Sequence, residues 1–513
     1  MAHWMNLGQI CKVNAKKYPD KTAIKDRHRS FTYPEMNERA NRLSHSLLSL
    51  GLRKGDKVAV LLENCFEIIE AYLATAKTGL VIVPMNFRLV AEDIKYIVNN
   101  SDARAIIVDN EFTPLIDKIR PDLAGIAGDR YIVVGGVREN YREYEGFIGG
   151  YNDGEPECEV LPTDTWILIY TSGTTGKPKG VVRSHESHIA FYLTTAVDFG
   201  FSHHDTCLNV MPLCHINSTF YTFTFLYIGG SAYVHPARSF HPEDILDIIE
   251  RERINFISLI PTHYNLILNA PLGERKYDVS SIKKLLCSSA PVRKSMKLTI
   301  MDFFAGVELY EGYGSTEAGV VTVLKPEDQM SKLGSIGIEA LGTDFVKIID
   351  EQGKEAAVGE VGELYSRGPM MFNGYYKMPE KTAASFRGEW FSAGDMARAD
   401  ENGFFQIVDR KNNMIITGGE HAYPSEVEEV IGGHPAVFDV AVIGLPDEKW
   451  GEKVVAVVVP KAEIDEKTLL DHCRERLAAF KRPKEVIFIK PEEMPRTPTG
   501  KILHRVLRER YAR

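Results

Sequence analysis

A chain of 513 residues exceeds what one hydrophobic core fills, so at least two domains are expected. With 44% hydrophobic and 26% charged residues it has the composition of an ordinary globular protein, and a formal net charge of −9 argues against nonspecific nucleic-acid binding as its main task. No run reaches 18 uninterrupted apolar residues, and the start MAHWMNLGQICKVNAKKYPD lacks the basic-then-apolar order of a secretion signal.

Up to about residue 160, short apolar strands alternate with helix-period segments. KVAVLLEN (57–64), LVIVPMN (80–86) and ARAIIVDN (103–110) are the strands, and CFEIIEAYLATAKTG is one of the helices. That alternation predicts a mostly parallel, doubly wound α/β architecture. It continues through TWILIY, the helix after GVVRSHES, NFISLIP (255–261), IKKLLCSSAPV (282–292) and VELYEGYG (307–314). From about 335, glycine-punctuated strands such as FVKIIDEQGKE, VGELYSRGP and GFFQIVDR predict a small β-rich subdomain. The polar triplet Lys411, Asn412 and Asn413 marks a boundary between an N-terminal domain over 1–410 and a small α+β C-terminal domain over 411–513. In the latter, Pro424 starts a helix, two valine-rich strands follow, and EKTLLDHCRERLAAF and EVIFIK add a helix over 466–480 and a last strand.

The seven cysteines are scattered, odd in number and without metal-ligand spacing, which fits reduced thiols and a cytoplasmic protein. Charge is uneven: from Lys481 to Arg513, ten Lys and Arg face four Glu. A basic end on an acidic chain suits an anionic small substrate and leaves peripheral membrane contact open; a homodimer is equally left open.

YTSGTTGKPKG runs from Tyr170 to Gly180, directly after an apolar strand-like run. Thr171, Ser172, Thr174 and Thr175 offer hydroxyls, Gly173 and Gly176 let backbone N–H groups approach an anion, and Lys177 and Lys179 add charge. Phosphate fits such a loop. It is not a Walker loop, because Gly173 and Gly176 are too close together and Pro178 stops a helix from starting after Lys177. A lone Gly/Ser/Thr run also reads as a solvated linker; the strand and the lysines favour the phosphate site.

Further segments extend it. YEGYGSTEAG (310–319), following a strand, fails as a dinucleotide fingerprint because Glu317 stands where a third glycine is needed. Its aromatic, threonine and glutamate can instead stack a base, touch a phosphate and bind Mg²⁺ through one carboxylate. WFSAGDMA puts Asp395 at a glycine turn, where a carboxylate can accept both hydroxyls of a ribose, and Arg410 in IVDR offers a forked donor beside it. GGEHAYPSEVE places Gly418 and Gly419 at the entry to the small domain, and PRTPTGK presents Lys501 near the end. Singly, each also reads as a surface turn or a helix start.

Taken in order, YTSGTTGKPKG, YGSTE, GELYSRGPMMFNGYY, WFSAGD, DRKNNMI, GGEHAYPSEVE and PRTPTGK resemble the adenylate-forming superfamily of acyl-CoA synthetases, luciferases and peptide-synthetase adenylation domains. The resemblance covers nearly the whole chain and is greatest to bacterial fatty-acyl-CoA synthetases. It implies ATP, Mg²⁺ and coenzyme A, and two steps. A carboxylate attacks the α-phosphate of ATP to give acyl-adenylate and pyrophosphate; after the C-terminal domain rotates, the CoA thiol takes the acyl group and AMP leaves. By the same resemblance, the loop from Thr171 to Lys179 and Lys501 would offset phosphate charge. Tyr313 would stack on adenine with Ser289, Ala290 and Pro291 on its other face, in a segment that includes Glu311, Gly312 and Gly314. Thr316 would hold the α-phosphate, Glu317 the Mg²⁺, Asp395 and Arg410 the ribose, and Ile407 would pack near the base. His215 in PLCHIN would stand at the carboxylate, with Ser218 and Thr219 starting the acyl pocket. Gly418 and Gly419 would pass pantetheine through a tunnel that a side chain would block. Asn412 occupies a hinge position that usually carries Asp or Lys, and His421 departs from the family's frequent Gly-Glu-Asn.

Beside a CoA ligase stand three other readings: loading of a separate carrier protein, luciferase-like oxygenation, and a nucleotide-binding regulator without catalysis, which Lys501, Glu317 and Asp395 oppose. The implied partners are a small carboxylic acid, ATP and CoA, with no nucleic acid. CHINSTFYTFTFLYIGG (214–230) mixes aromatics with hydroxyls and has no charged residue, which favours an uncharged acyl chain or ring over a diacid or a carnitine-like cation. Cys214 reads as a packing residue rather than a nucleophile.

Overall fold

The computed structural model describes residues 6–171, 177–236, 238–271, 275–288, 292, 294–497 and 502–512. The elements that carry the site are, in chain order, β1 (Thr165–Thr171), β2 (Lys179–Ser184), α1 (His185–Asp198), α2 (Ile216–Ile228), β3 (Phe256–Leu259), β4 (Lys284–Ser288), α3 (Lys294–Phe303), β5 (Glu308–Ser315), β6 (Gly319–Leu324), β7 (Gly374–Tyr375), β8 (Asp395–Ala399), β9 (Phe405–Arg410) and α4 (Pro424–Gly432).

The strand–helix alternation of the sequence resolves into two large sheets. Across the first, the described strands run β7, β2, β1, Val81–Pro84, Lys57–Leu61, Ala103–Asp109, Tyr131–Val134 and Arg142–Glu143. From β1 onward neighbours are parallel, whereas β2 and β7 close that edge antiparallel. Across the second run Ile338–Glu339, β6, β5, β4, β3, Thr206–Asn209, Ser231–Val234, Thr22–Lys25 and Ser30–Thr32. Its interior is parallel and its edges are antiparallel. Thr22–Lys25 therefore leaves its sequence neighbours and pairs with Ser231–Val234, a partition that local alternation does not reveal.

Helices fill the space between the sheets. Every residue of the helix Phe66–Thr78 is buried, and its Ile, Leu and Ala side chains share one core with residues of both sheets and with α1 and α2. Its two glutamates are paired rather than bare: Glu67 with Arg29 at 2.8 Å and Glu70 with Arg39 at 2.5 Å. A second core covers the outer face of the first sheet, and a third, under Pro242–Glu252 and α3, covers the outer face of the second. The result is five alternating layers of helix and sheet.

A smaller antiparallel sheet of Lys347–Ile349, Gly362–Tyr365, β8 and β9 leads to the C-terminal unit. There Val437–Asp447 and Gly451–Pro460 form a long antiparallel pair, with Glu485–Phe488 parallel to the latter. The helix expected over 466–480 ends at Arg474. Leu477 and Phe480 turn inward onto the domain core, and Arg482 Nε donates to the Leu477 carbonyl at 2.8 Å just before Pro483. Within the described residues no helix is long and apolar enough to cross a membrane, and all seven cysteines are free.

Candidate active site

The YTSGTTGKPKG segment joins two antiparallel strands. Thr171 of β1 pairs in register with Lys179 of β2, so a strand, not a helix, follows Pro178. Ser172, Gly173, Thr174, Thr175 and Gly176 lie outside the described residues. Lys177 is exposed, its ammonium near the Tyr96 ring. Lys179 turns inward: Nζ is 3.2 Å from the Tyr375 hydroxyl and 4.0 Å from Glu317 Oε1. That hydroxyl donates onward to Glu317 Oε1 at 2.8 Å. Burial lowers the pKa of Lys179, against the opposing pull of Glu317.

Glu317 is aimed by a residue that the sequence reading missed. YEGYGSTEAG does not follow a strand as expected; its first half is strand β5, and Thr316 to Ala318 turn the chain into β6. Arg183 of β2, fully buried, donates from Nη1 to the carbonyls of Thr316 at 2.8 Å and Glu317 at 3.4 Å, and from Nη2 to that of Met370 at 2.5 Å. Its guanidinium lies 4.9 Å from the Phe220 ring of α2. Burial, against the opposing pull of Tyr192 and Glu317, pushes its pKa down to about 9. The sequence does carry a signal, since Arg183 follows core residue Val181 at the strand period of two.

A second group assembles from three segments. Asp395, 6% exposed, accepts from Arg410 Nε at 2.6 Å through one oxygen and from the Tyr313 hydroxyl at 2.6 Å through the other. Ile407 and Tyr313 both pack against the same apolar cluster. Burial first, then Asp395, raises the Tyr313 hydroxyl well above the ordinary tyrosine range, so it stays a donor. Arg410 acts electrostatically on Tyr313, Lys179 and Tyr375, which places the two groups in one site.

Other expected residues stand apart from these contacts. Glu311 points away from α2: burial pushes its pKa up to about 7 while its side chain pairs with buried Lys297 of α3, leaving only its backbone for a nucleotide. His215 precedes α2 and its Nδ1 accepts from the Asn217 N–H at 3.3 Å; Ser218 and Thr219 are buried in the same turn. Burial pushes Cys214 up to about 12, which keeps it a thiol. Gly418 (φ +62°) sits against Trp450, but a Cβ on Gly419 (φ +84°) would meet nothing within 4 Å. In this arrangement the left-handed backbone by itself favours glycine at 419. Ser289, Ala290, Pro291 and Lys501 lie outside the described residues.

Residues 11–376 match the AMP-binding enzyme family, and residues 426–501 match the AMP-binding enzyme C-terminal domain. The chain belongs to this family. It is 35% identical to a feruloyl-CoA synthase from Amycolatopsis sp over 98% of this chain and 99% of that one. It is 36% identical to the long-chain-fatty-acid–CoA ligase FadD13 from Mycobacterium tuberculosis over 94% of this chain and 93% of that one. The anthranilate CoA ligase AuaEII, solved with anthranoyl-AMP, superposes with a TM-score of 0.91 at 28% identity, over 99% of this chain and 98% of that one. Family membership therefore extends through both the large parallel-sheet domain and the small C-terminal one.

Proposed function

We propose that this AMP-forming acid–thiol ligase activates, in the cytoplasm, a carboxylic acid whose acyl or aryl part carries no charge, and transfers the acyl group to coenzyme A. The relatives above act on a feruloyl group, on anthranilate and on long-chain fatty acids, so the acid is set by this chain's own pocket.

The observation that carries the reading is the convergence of Lys179, Tyr375 and Glu317 beside the Tyr313–Asp395–Arg410 group. A nucleoside triphosphate needs an aromatic face for the base, a carboxylate–guanidinium pair for the ribose, and cations for the phosphates. Tyr313 and Ile407 supply the first, Asp395 and Arg410 the second, and Lys179 with the 171–176 loop part of the third. Glu317 suits Mg²⁺: Tyr375 engages one of its oxygens, and a nucleotide-bound ion takes one or two protein carboxylates beside phosphates and water. That ion would spread the negative charge of the triphosphate.

In the first step the acid's carboxylate, near His215, attacks the α-phosphate held by Thr316, and Lys501 offsets the charge gathering there. In the second, rotation of domain 411–513 about Asn412 brings Gly418 and Gly419 to the adenylate, and the CoA thiol displaces AMP. The test is pyrophosphate release from ATP with a carboxylate panel, with and without CoA, and with a phosphopantetheinylated carrier protein in its place. Acid-dependent pyrophosphate with thioester formed only on CoA is expected. ADP as product would end the adenylation reading, and thioester only on the carrier would reassign the acceptor.

A further inference from the structure

The face of the second sheet that looks toward α2 has two layers. Alternation puts Phe256 and Ser258 of β3, Leu286 and Ser288 of β4, and Tyr310 and Gly312 of β5 on that face, while Ile257, Leu285, Cys287 and Leu309 pack on the other. Toward its carboxyl end each strand carries a small residue, Ser258, Ser288 or Gly312, and this layer is stepped, because Ser258 is level with Leu286 and Tyr310 rather than with Ser288. Two positions back they are large: Phe256, Leu286, Tyr310.

The helix repeats this division. Asn217, in the first turn of α2, lies over the small layer; its Oδ1 accepts from Ser258 Oγ at 3.1 Å and its Nδ2 donates to Ser288 Oγ at 2.9 Å. One turn further, Tyr221 packs on Phe256 with ring centroids 5.4 Å apart, and Phe199 stacks on Tyr310 at 4.4 Å. Rings in contact close the large layer. The small layer lies at the carboxyl ends of parallel strands, where open α/β sheets take their ligands. The step from the small to the large residue within a strand is about 6.6 Å, the size of one aromatic ring.

The small layer is also polar. Among the described residues, Asn217 keeps its second Nδ2 hydrogen and Ser288, whose oxygen already accepts, keeps its own hydroxyl proton. Building on the proposed role of α2 as the acyl wall, we infer that the substrate is a compact aromatic acid whose ring carries a hydroxyl or similar hydrogen-bonding group. Asn217, Ser258 and Ser288 read that group, and the Tyr221–Phe256 and Phe199–Tyr310 contacts exclude long alkyl chains. A buried site built to pair a hydroxyl penalises the analogue that lacks it, because its own polar groups are then left unpaired.

Pyrophosphate release by the full chain, measured with cinnamate, 4-hydroxycinnamate, benzoate, 4-hydroxybenzoate, octanoate and palmitate, tests this. Each hydroxylated ring acid should exceed its unsubstituted partner in kcat/KM by about tenfold or more, and palmitate should fall about a hundredfold below the best acid. Asn217→Leu should bring the hydroxyl ratio to about one, and Ser288→Ala should lower it in the same direction if Asn217→Leu does not fold. Tyr221→Ala should raise the octanoate rate relative to the ring acids. Palmitate as the best acid, or a hydroxyl ratio unmoved in a folded variant, overturns the inference while leaving acid activation in place. Release with none of the acids overturns both.

Discussion

Arg183→Met isolates the residue that aims Thr316 and Glu317. Two opposing costs decide what it does to stability. Holding the guanidinium at about 9 instead of 12.5 corresponds to about 5 kcal/mol of charge burial, which methionine relieves. The variant leaves the carbonyls of Thr316 and Met370 without their donors, at about 1–3 kcal/mol each. These nearly cancel, so the melting temperature should shift by only a few degrees. Catalysis has no such cancellation. Freeing the 316–318 turn to move by about an ångström should lower kcat/KM for MgATP by about a hundredfold and move the Mg²⁺ titration midpoint upward. Arg183→Lys, which can reach one of the carbonyls, should recover part of the loss. The assay is pyrophosphate release at varied MgATP and free Mg²⁺, beside a thermal melt. A folded Arg183→Met enzyme with kcat/KM within twofold and an unchanged Mg²⁺ midpoint would refute the positioning role.

Other outcomes are expected. Glu317→Gln should lower adenylation by about 2–4 kcal/mol in transition-state terms and weaken Mg²⁺ dependence, read in the same assay. Lys501→Ala should cripple adenylation yet largely spare thioester formation from supplied acyl-adenylate; equal losses would mean a single fixed site. Gly419→Leu must be read against Gly419→Ala, because φ +84° strains any side chain by about 1–2 kcal/mol. Loss of the thioester step in Leu but not in Ala marks the tunnel, and equal loss marks the backbone. His504 Nε2 lies 2.7 Å from Glu428, and, despite burial, that carboxylate raises its pKa above the usual 6.5. The folded state then binds the proton more tightly, so the contribution is full below about 6.5 and lost as pH rises through the raised value. Unfolding midpoints should fall across that window, and Glu428→Gln should flatten the fall.

What could be read from the sequence was what neighbouring residues decide. The strands 57–61, 81–84 and 103–109 announce themselves by apolar runs, and Pro424 sits at the first turn of its helix as its fixed φ suggests. The Asp395–Arg410 pair was legible as a carboxylate at a glycine turn beside a forked donor. Illegible were the features that distant segments create. Nothing near Thr22 shows that it joins a strand more than two hundred residues away, and nothing near Arg183 shows that its partners are Thr316 and Met370. A motif gives residue types without strand faces, so the side-chain direction of Glu311, which alternation turns toward Lys297, was not legible. The end of the 466–474 helix depended on where Leu477 and Phe480 found their core.

One pair of hydrogen bonds at the boundary bears on the proposed rotation of the C-terminal domain. Asp409, the penultimate residue of β9, accepts the Ser425 N–H from the first turn of α4 at 2.9 Å, and the Ser425 hydroxyl donates to the Val408 carbonyl. Asn412 lies between these anchors, so a large rotation about it carries Ser425 away and both bonds open. At about 1 kcal/mol each they favour the present orientation by about tenfold or more, a bias the other orientation must recover from its own contacts. Burial raises the Asp409 pKa, so acid should weaken this acceptor and shift the balance toward the proposed rotated form. The clasp works as a detent. If the proposed rotation occurs, the dwell between the two steps depends in part on these two hydrogen bonds.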